Sequence, residues 1–534
     1  MVARCRIITA LGRGTRVFGV FGLSAPGWEP PSIIEVEAWA TMRQMPALWA
    51  AIAAVLASVA AAEYRVNTRI TYNQTDPSVA MNPGGDYLIV WSSYNQDGDS
   101  GGIFAQRFDP NCSRIGAEFQ INTATLGNQT DPDTAMYETG AFIVAWHGPG
   151  LAEEDIYARR FDPDAEPTTE EFRINSLTEN SQRYPRVAIS KTGAFVVVWE
   201  TERPQGEEIT WAAAGRLYDA NGAPVGNEFY TSQAAGCRFP DAAMDAYGNF
   251  VVVWMQEGGT NSIMARLYEA EGAPITDAFM VSSGSFHSQT RPAVAMQNDG
   301  RFVVTWDGHP QLASMDDIHA RWHNSDGTAL SEEFTVNTIT ESSQQNPRIS
   351  MTEQGEFVIV WHSETGIEAK AKDVYARQYN ASCMPVGGET RLNSLTQDEQ
   401  KYPAVAVSRS AKYVAAWQSY GQDGSQYGIF ATSSARICPA DFSDDGFVNF
   451  LDYRTLADQW LATGDSLTAD LTGDDLINPL DLAEFCRDWL SPCQQCRLAE
   501  YQEAQTPHVQ AICVFTGYRR PPMLRRPGLY DAGP

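Results

Sequence analysis

Two acidic segments near the carboxyl end of the chain place oxygen-bearing side chains at the spacing of a metal-binding loop. Residues 441–452 carry Asp, Ser, Asp, Asn and Asp at positions 1, 3, 5, 9 and 12, and residues 470–481 repeat the pattern with Thr at position 3. Oxygen ligands at these positions, with a backbone carbonyl at position 7, suit a hard Ca²⁺ ion. The pattern predicts two calcium sites, and a pair of solvated acidic loops is the alternative.

Each acidic segment leads into a helical pattern, the first over 453–461 and the second ending at Leu490. Over residues 438–490 the pair resembles the type I dockerin module, a duplicated calcium-binding motif. The resemblance implies docking to a cohesin-like or cell-envelope protein, and a weaker second site because Asp475 replaces the Gly of the tight turn. The ligands that the resemblance implies are Asp441, Ser443, Asp445, Phe447 (carbonyl), Asn449, Asp452, Asp470, Thr472, Asp474, Leu476 (carbonyl), Asn478 and Asp481.

A second set of candidate residues precedes seven regularly spaced prolines between positions 77 and 403. Asp76 and Asp131 are two of them, and paired carboxylates can carry out acid–base chemistry on glycosidic bonds. The other five are Tyr184, Phe239, Arg291, Asn346 and Tyr402. Aromatic rings in such a set would stack on sugars. A solvated rim with ordinary variation is the alternative interpretation.

Two loops share the sequence Ser-Tyr-X-Gln-Asp-Gly, at 93–98 and at 419–424. In a closed ring of repeats they would lie on adjacent blades and form a joint ion or glycan site. The residues that would bind this ligand are Tyr94, Asp97, Tyr420 and Asp423. Asp-Gly is also typical of a tight hairpin turn, which explains the loops equally well.

These candidates lie in a repeat that occupies most of the chain. A Trp ends an apolar run at positions 91, 146, 199, 254, 306, 361 and 417, and a Pro precedes each Trp by 14 residues. The apolar run does not alternate, which predicts a strand buried on both faces. Each copy, about 54 residues long, holds four strand-like runs and no helical pattern. The sequence therefore predicts a mainly β fold, a seven-bladed β-propeller over 63–437.

The ends of the array indicate how the ring closes. The strand that starts each copy occurs at 64–68, whereas the last copy ends at 431–437 without one. If this strand is the outer strand of the preceding blade, residues 64–68 complete blade seven and remove the open edge. An open solenoid or tandem sandwiches are the alternatives. A closed ring separates Cys112 from Cys383, so we expect no bond between them.

Two polar positions recur with the repeat. A Gln stands three residues before the Pro in six copies, with Cys237 in the fourth, and its amide is expected to hold a turn. An Arg recurs at 159, 216, 266, 321 and 377 and is expected to cap or bridge blades.

The terminal regions differ from the repeat. Residues 42–62 have the layout of a secretory signal peptide, with one Arg, an apolar run and Ala-Ala-Ala at the end. The run is short for a membrane span, and an uncleaved anchor is the alternative. Residues 1–41 are interpreted as an unstructured leader or a start assigned too early, and 491–534 as a disordered tail. The repeats resemble those of large secreted and surface proteins of bacteria, which implies an extracellular or surface location.

The net charge and the absence of several sequence motifs exclude some classes of function. The 534-residue chain has a formal charge of −28, which argues against nucleic acid as a partner. The sequence holds no HExxH motif, phosphate loop or dinucleotide fingerprint. We expect a secreted, non-catalytic binding or scaffold protein whose propeller rim binds a glycan or a protein and whose calcium module docks it. A polysaccharide-degrading enzyme, a glycoside hydrolase or lyase, is the alternative.

Overall fold

The computed structural model describes residues 63–150, 152–205, 208–283, 286–310, 315–365, 371–434, 450–460 and 482. These residues form seven four-stranded antiparallel sheets and one helix. The predicted seven-bladed β-propeller is confirmed. The predicted leader, signal peptide and tail lie outside the described residues.

The first strand, β1 (Tyr64–Arg65), belongs to the last blade, and the others follow in chain order, four to a blade. Blade 1 contains β2 (Gln74–Met81), β3 (Tyr87–Tyr94), β4 (Gly101–Phe108) and β5 (Arg114–Gln120). Blade 2 contains β6 (Thr130–Met136), β7 (Phe142–Pro149), β8 (Glu154–Phe161) and β9 (Phe172–Arg173). Blade 3 contains β10 (Gln182–Ile189), β11 (Phe195–Gln205), β12 (Glu208–Tyr218) and β13 (Pro224–Tyr230).

The remaining blades repeat this order. Blade 4 contains β14 (Cys237–Met244), β15 (Phe250–Gln256), β16 (Ser262–Tyr268) and β17 (Phe279–Met280). Blade 5 contains β18 (Phe286–Met296), β19 (Phe302–Pro310), β20 (Asp317–His323) and β21 (Phe334–Thr335). Blade 6 contains β22 (Gln344–Met351), β23 (Phe357–Thr365), β24 (Ala371–Tyr379) and β25 (Pro385–Arg391). Blade 7 contains β26 (Gln400–Val407), β27 (Tyr413–Tyr420), β28 (Tyr427–Ser433) and β1.

The second strand of each blade forms the core. Its apolar run packs against both neighbouring blades, and all seven Trp side chains that end it are buried. At the start of this strand an aromatic ring stacks on a ring of the third strand in six blades, as Phe195 does on Tyr218 with centroids 4.7 Å apart. Flat stacking and full burial explain why this run is apolar on both faces.

The recurring Gln holds the turn before the first strand in five blades, as expected; in blade 5 the amide of Gln289 is buried without a hydrogen-bond partner among the described residues. Gln74 is buried and donates through Nε2 to the Thr71 carbonyl at 3.0 Å, and Gln129 does the same to Leu126 at 2.9 Å. In blade 3, Gln182 also accepts the indole N–H of Trp199 at 2.9 Å. A buried side chain of the core therefore holds the turn in place.

The recurring Arg bridges blades, as expected. The Nη1 of Arg159 donates to the carbonyl of Ile121 in the preceding blade at 3.0 Å, and Arg216 repeats the contact with Ile174 at 2.7 Å. A Glu in or next to the outer strand makes a second link between blades, which the sequence did not suggest. Glu118 accepts the backbone N–H and hydroxyl of Thr68, at 2.6 and 2.9 Å.

The ring closes through β1, as the ends of the array predict. Tyr64 pairs with Ala431 and Arg65 with Phe430 in antiparallel register. Asn67 extends this ladder, because its Oδ1 accepts the Ile429 N–H at 2.7 Å while its Nδ2 donates to the Arg69 carbonyl and to Gln74. Asn122 makes the same contact with Ile103 in blade 1.

The cysteines agree with a closed ring. Cys383 is a free thiol and Cys112 is disulfide-bonded, so the two are not joined to each other. Cys237, which replaces the recurring Gln in blade 4, is a buried free thiol.

One helix, α1 (Phe450–Asp458), follows the propeller. It begins three residues before the predicted start of the first helix, at position 10 of the first acidic segment. Asp452 lies in its first turn, and the other eleven predicted calcium ligands lie outside the described residues. Calcium binding therefore stays a prediction. Across the described part of the chain, no helix is long and apolar enough to cross a bilayer.

We predict that Asn67→Ala lowers the free energy of unfolding by about 2–4 kcal/mol, because it strands the buried Ile429 N–H. Calorimetric unfolding of the full chain measures the change. Asn122→Ala removes the same contact inside blade 1 and should cost a similar amount. If β1 contributed nothing to closure, Asn67→Ala would unfold like the wild type while Asn122→Ala would not.

Candidate functional site

The first strands of the seven blades line a central channel with a cavity volume of about 650 Å³. Near its mouth lie the seven residues that precede the repeated prolines. Each has a left-handed backbone, with φ between 50° and 55°. The strand register also shifts at this point in all seven blades. The predicted rim is therefore a ring of identical backbone bulges that carry different side chains. They are Asp76, Asp131, Tyr184, Phe239, Arg291, Asn346 and Tyr402.

Six of these bulges are held by a side chain of the preceding blade. The residue after each buried Trp reaches across and accepts the amide N–H of the residue before the next Pro. The acceptors are Ser92 for Asp131 (3.1 Å), His147 for Tyr184 (3.4 Å), Glu200 for Phe239 (2.6 Å), Asp307 for Asn346 (2.8 Å), His362 for Tyr402 (3.4 Å) and Gln418 for Asp76 (3.0 Å). Met255 occupies this position before Arg291.

Sequence reasoning missed this second ring. A polar residue directly after a buried Trp in six of seven copies was the available signal, because a buried polar side chain needs a hydrogen-bond partner. Its members are buried next to the channel wall, and two of them, Glu200 and Asp307, are carboxylates with no exposed surface.

The structure brings the two predicted acids together. Asp76 and Asp131 lie on adjacent blades, half-buried in the channel mouth. Burial raises the pKa of both carboxyls, and the Asp131 carboxylate raises that of Asp76 further. His147 Nε2 lies 3.8 Å from Asp131 Oδ2. A pair that shares a proton near neutral pH can supply one acid and one base.

His147 is held as a neutral imidazole. Burial lowers its pKa to about 4. Its Nδ1 accepts the Tyr184 N–H, and its ring meets the Tyr184 ring edge to face with centroids 5.6 Å apart. His362 and Tyr402 repeat this arrangement at 5.7 Å. The imidazoles therefore orient two aromatic rings of the mouth.

The aromatic residues give the mouth apolar surface beside its polar groups. Tyr402 is 42 % exposed, and the Nζ of Lys401 lies 5.4 Å from its ring centroid. Phe239 lies between two guanidinium groups, with Arg238 5.3 Å and Arg291 5.9 Å from its ring centroid. The opening thus combines ring surfaces with hydrogen-bonding groups.

A second layer lies two residues further along the first strands, where the residue after the Pro lines the channel in six blades. Ser78, Asp133, Arg186, Asp241 and Arg348 bring polar atoms into this layer. Burial raises the pKa of Asp241 to about 6. These positions were not predicted, because their residue type differs from one copy of the repeat to another.

Ion pairs lie across the opposite opening of the channel. Lys191 of blade 3 contacts Glu138 at 2.9 Å and reaches Glu353 of blade 6 at 2.6 Å. Arg409 of blade 7 also contacts Glu353, at 3.4 Å. These contacts tie blades 3 and 6 together at that end, so we place ligand entry at the mouth.

The loops at 93–98 and 419–424 lie on adjacent blades, as expected for a closed ring. Tyr94 and Tyr420 are exposed. Asp97 turns back against Gly102, where an added Cβ would lie 2.5 Å from Asp97 Oδ2, and Asp423 packs in the same way on Gly428. In blades 2, 5 and 6, the third strand carries an Asp at the position that Gly102 and Gly428 occupy in blades 1 and 7. Both loop carboxylates therefore fill a structural position, and a ligand-binding role for the four residues stays a prediction.

No protein-family model matches this chain, and no curated protein matches it. Among solved structures, a protein of unknown function from Dyadobacter fermentans DSM 18053 is similar at 11% identity and a TM-score of 0.43, over 70% of this chain and 97% of that one. A polysaccharide lyase described as an ulvan lyase is similar at 10% identity and a TM-score of 0.42, over 70% and 94%. The β-propeller domain of the Trilobed protease from Pyrococcus furiosus is similar at 11% identity and a TM-score of 0.42, over 68% and 94%. These values assign no function to the chain.

We predict that Asp307→Asn stabilises the protein more at pH 8 than at pH 5. Burial raises the pKa of Asp307 to about 7, and its Oδ1 has no partner among the described residues. A carboxyl that binds its proton more tightly when folded contributes stability below about pH 4 and loses it as the pH rises through 7. Melting temperatures across this range should therefore separate the two proteins progressively.

Asp326→Asn is the control for this prediction. Asp326 is exposed, and hydrogen bonds from Thr328 lower its pKa, so the sign is opposite and no gain is expected at pH 8. Equal melting curves for Asp307→Asn and the wild type at pH 8 would contradict the buried charge.

Proposed function

We propose that this chain is a secreted glycan-binding protein whose binding site is the mouth of the propeller channel. The observation that carries the proposal is the set of bulky side chains in left-handed backbone at the mouth: Tyr184, Phe239, Arg291 and Tyr402. Asn, Asp and Gly tolerate this conformation best, and other residues there cost on the order of 1 kcal/mol. Strain of this kind, retained at four positions around one opening, supports a role in binding.

The chemistry of the mouth supports a sugar as the ligand. Exposed ring faces offer apolar surface, and Asp76, Asp131, Asn346 and Arg291 offer hydrogen-bonding groups beside them. Ligand sites combine a concave, partly apolar wall with a few convergent polar groups, in cavities of about 300–1,000 Å³. The channel volume of about 650 Å³ falls within this range.

A polysaccharide-degrading activity is the second candidate, and the raised pKa values of Asp76 and Asp131 favour it. A protonated and an ionised carboxyl on adjacent blades would act as acid and base on a glycosidic bond. The acids one layer deeper do not add to this pair. Asp133 accepts Ser78 and the Val187 N–H, and Asp241 accepts the Val294 N–H, so both serve the fold.

The calcium module would attach this binding domain to a partner. The duplicated acidic segments carry oxygen donors throughout, which suits Ca²⁺, and α1 begins at position 10 of the first segment. We propose that Ca²⁺ orders residues 438–490 for docking to a cohesin-like or cell-envelope protein. The signal-peptide layout of residues 42–62 supports secretion.

We predict that Tyr402→Ala weakens retention on a polysaccharide about tenfold, because an exposed ring at the mouth is lost. The measurement is depletion of the full chain by cellulose, xylan, pectin, alginate and carrageenan, with new reducing ends assayed in the same tubes. Tyr402→Phe should keep the affinity, since the ring remains.

Tyr247→Ala is the matched control, because Tyr247 is 74 % exposed in a hairpin at the opposite end of the first strands. Retention that falls with Tyr402→Ala alone, without new reducing ends, supports binding. Reducing ends that disappear in an Asp76→Asn, Asp131→Asn variant would support the enzyme instead. Equal retention of all variants would exclude the mouth.

We predict that Ca²⁺ binds at two sites of unequal affinity, because Asp475 replaces the turn Gly in the second loop. Isothermal titration of the chelator-treated full chain measures both. Asp445→Ala should abolish the tighter site and Asp474→Ala the weaker one. Mg²⁺ titrated in place of Ca²⁺ is the control, since it demands a stricter octahedral geometry. A chain that takes up no Ca²⁺ would overturn the docking proposal and leave the mouth proposal standing.

A further inference from the structure

Two arginines face the channel below the mouth without an ion-pair partner. Arg186 of blade 3 and Arg348 of blade 6 both line the cavity. Among the described residues neither forms a salt bridge, and the one side-chain hydrogen bond shown for Arg186 goes to the carbonyl of its neighbour Pro185 at 2.8 Å. Guanidinium groups are usually paired when they are withdrawn from bulk solvent. Their remaining donors can therefore bind an anion that enters the channel.

The carboxylates of the same layer are engaged elsewhere. Asp133 accepts the Ser78 hydroxyl at 2.9 Å and the Val187 N–H at 2.8 Å. Asp241 accepts the Val294 N–H at 2.9 Å and the Ala242 N–H at 3.0 Å. These bonds orient both carboxylates toward strand backbone, so they balance the layer's charge without capping the guanidinium groups.

The two guanidinium groups also act on each other. Burial lowers the pKa of Arg348 to about 10; the positive charges of Arg186 and Arg291 lower it further, and the carboxylates of Asp241 and Asp133 raise it in part. The neighbours of Arg348 on blades 5 and 7 are Ala293 and Ala404, which contribute no charge. The carboxylates offset part of this repulsion, but within the described chain neither forms an ion pair with a guanidinium group, so an anion that enters the cavity would be attracted to both arginines.

We propose that Arg186 and Arg348 form an oxyanion site inside the channel, open to the mouth. A guanidinium presents planar donors that fit sulfate, phosphate or carboxylate in a bidentate manner. The oxyanion has two chemical sources: a free inorganic ion, or the carboxylate or sulfate of an acidic glycan bound at the mouth. This site does not depend on glycan binding, because a free ion would occupy it alone.

The test is isothermal titration of the full chain with sodium sulfate, at an ionic strength held constant with sodium chloride. We expect one sulfate per chain, and at least tenfold weaker binding for Arg348→Gln and for Arg186→Gln. Arg348→Lys keeps the positive charge but loses the bidentate donors of the guanidinium, so its sulfate affinity should lie between those of the wild type and Arg348→Gln. Arg301→Gln is the control, because Arg301 pairs with Asp299 on an exposed hairpin.

The melting temperature of each ligand-free variant separates this proposal from a purely structural role. Arg348 forms no salt bridge with a described residue, so Arg348→Gln should melt close to the wild type, whereas loss of a structural ion pair would lower the melting temperature. No sulfate binding to the wild type, or equal binding to all variants, would overturn the proposal.

Glucuronic acid and glucose distinguish the two sources of the oxyanion. Competition by glucuronic acid but not by glucose indicates the acid group of a sugar. Sulfate binding without such competition indicates a free ion. Retention on polysaccharide, which tests Tyr402, can fail independently of this titration.

Discussion

A left-handed bulge at the entry of each blade is the constraint on which the channel depends. The bulge turns one amide N–H per blade away from its own sheet, and a buried amide must find a partner. In six of the seven blades the partner comes from the preceding blade, from the residue that follows the buried Trp. These hydrogen bonds connect the core of one blade to the backbone of the next blade at the mouth.

This requirement explains the buried ionisable groups around the channel. Any acceptor satisfies a bulge, so Ser92, Gln418, His147, Glu200 and Asp307 all occur at one position. A neutral acceptor carries little electrostatic penalty, whereas Glu200 and Asp307 are buried carboxylates whose pKa burial raises. Arg238 and Arg291 neutralise them from the mouth, at 3.0 and 3.4 Å. Part of the charge at the rim thus serves the fold as well as any ligand.

The sequence predicted the features that occur in several copies of the repeat, and it did not predict those that differ from copy to copy. The Trp spacing, the closing strand at 64–68, the Gln turns and the Arg bridges each appear in several copies, so periodicity alone predicts them. The rim residues were predicted because they precede a repeated Pro. The layer of Arg186 and Arg348 was not, because no property of an isolated Arg tells whether a carboxylate reaches it in the fold. The structural role of the Asp97 and Asp423 carboxylates was not predicted for the same reason, since their packing on Gly102 and Gly428 depends on the third strand. The prediction of the calcium ligands depends only on the spacing of oxygen-bearing residues in the two acidic segments.

The seven copies provide an internal comparison that separates fold from function. At the residue before each Pro the backbone is the same, with φ between 50° and 55°, so local conformation favours the same small polar residues in every blade. Asp76, Asp131 and Asn346 follow that preference, and Tyr184, Phe239, Arg291 and Tyr402 do not. At the residue after the Pro the fold is satisfied by Ala in blades 5 and 7 and does not require Arg in blades 3 and 6. Both departures face the same cavity, one ring above the other. Arg291 also pairs with the buried Asp307 and so serves the fold, whereas no such ion pair accounts for Tyr184, Phe239 or Tyr402; their departure supports the proposal that a ligand binds at the mouth.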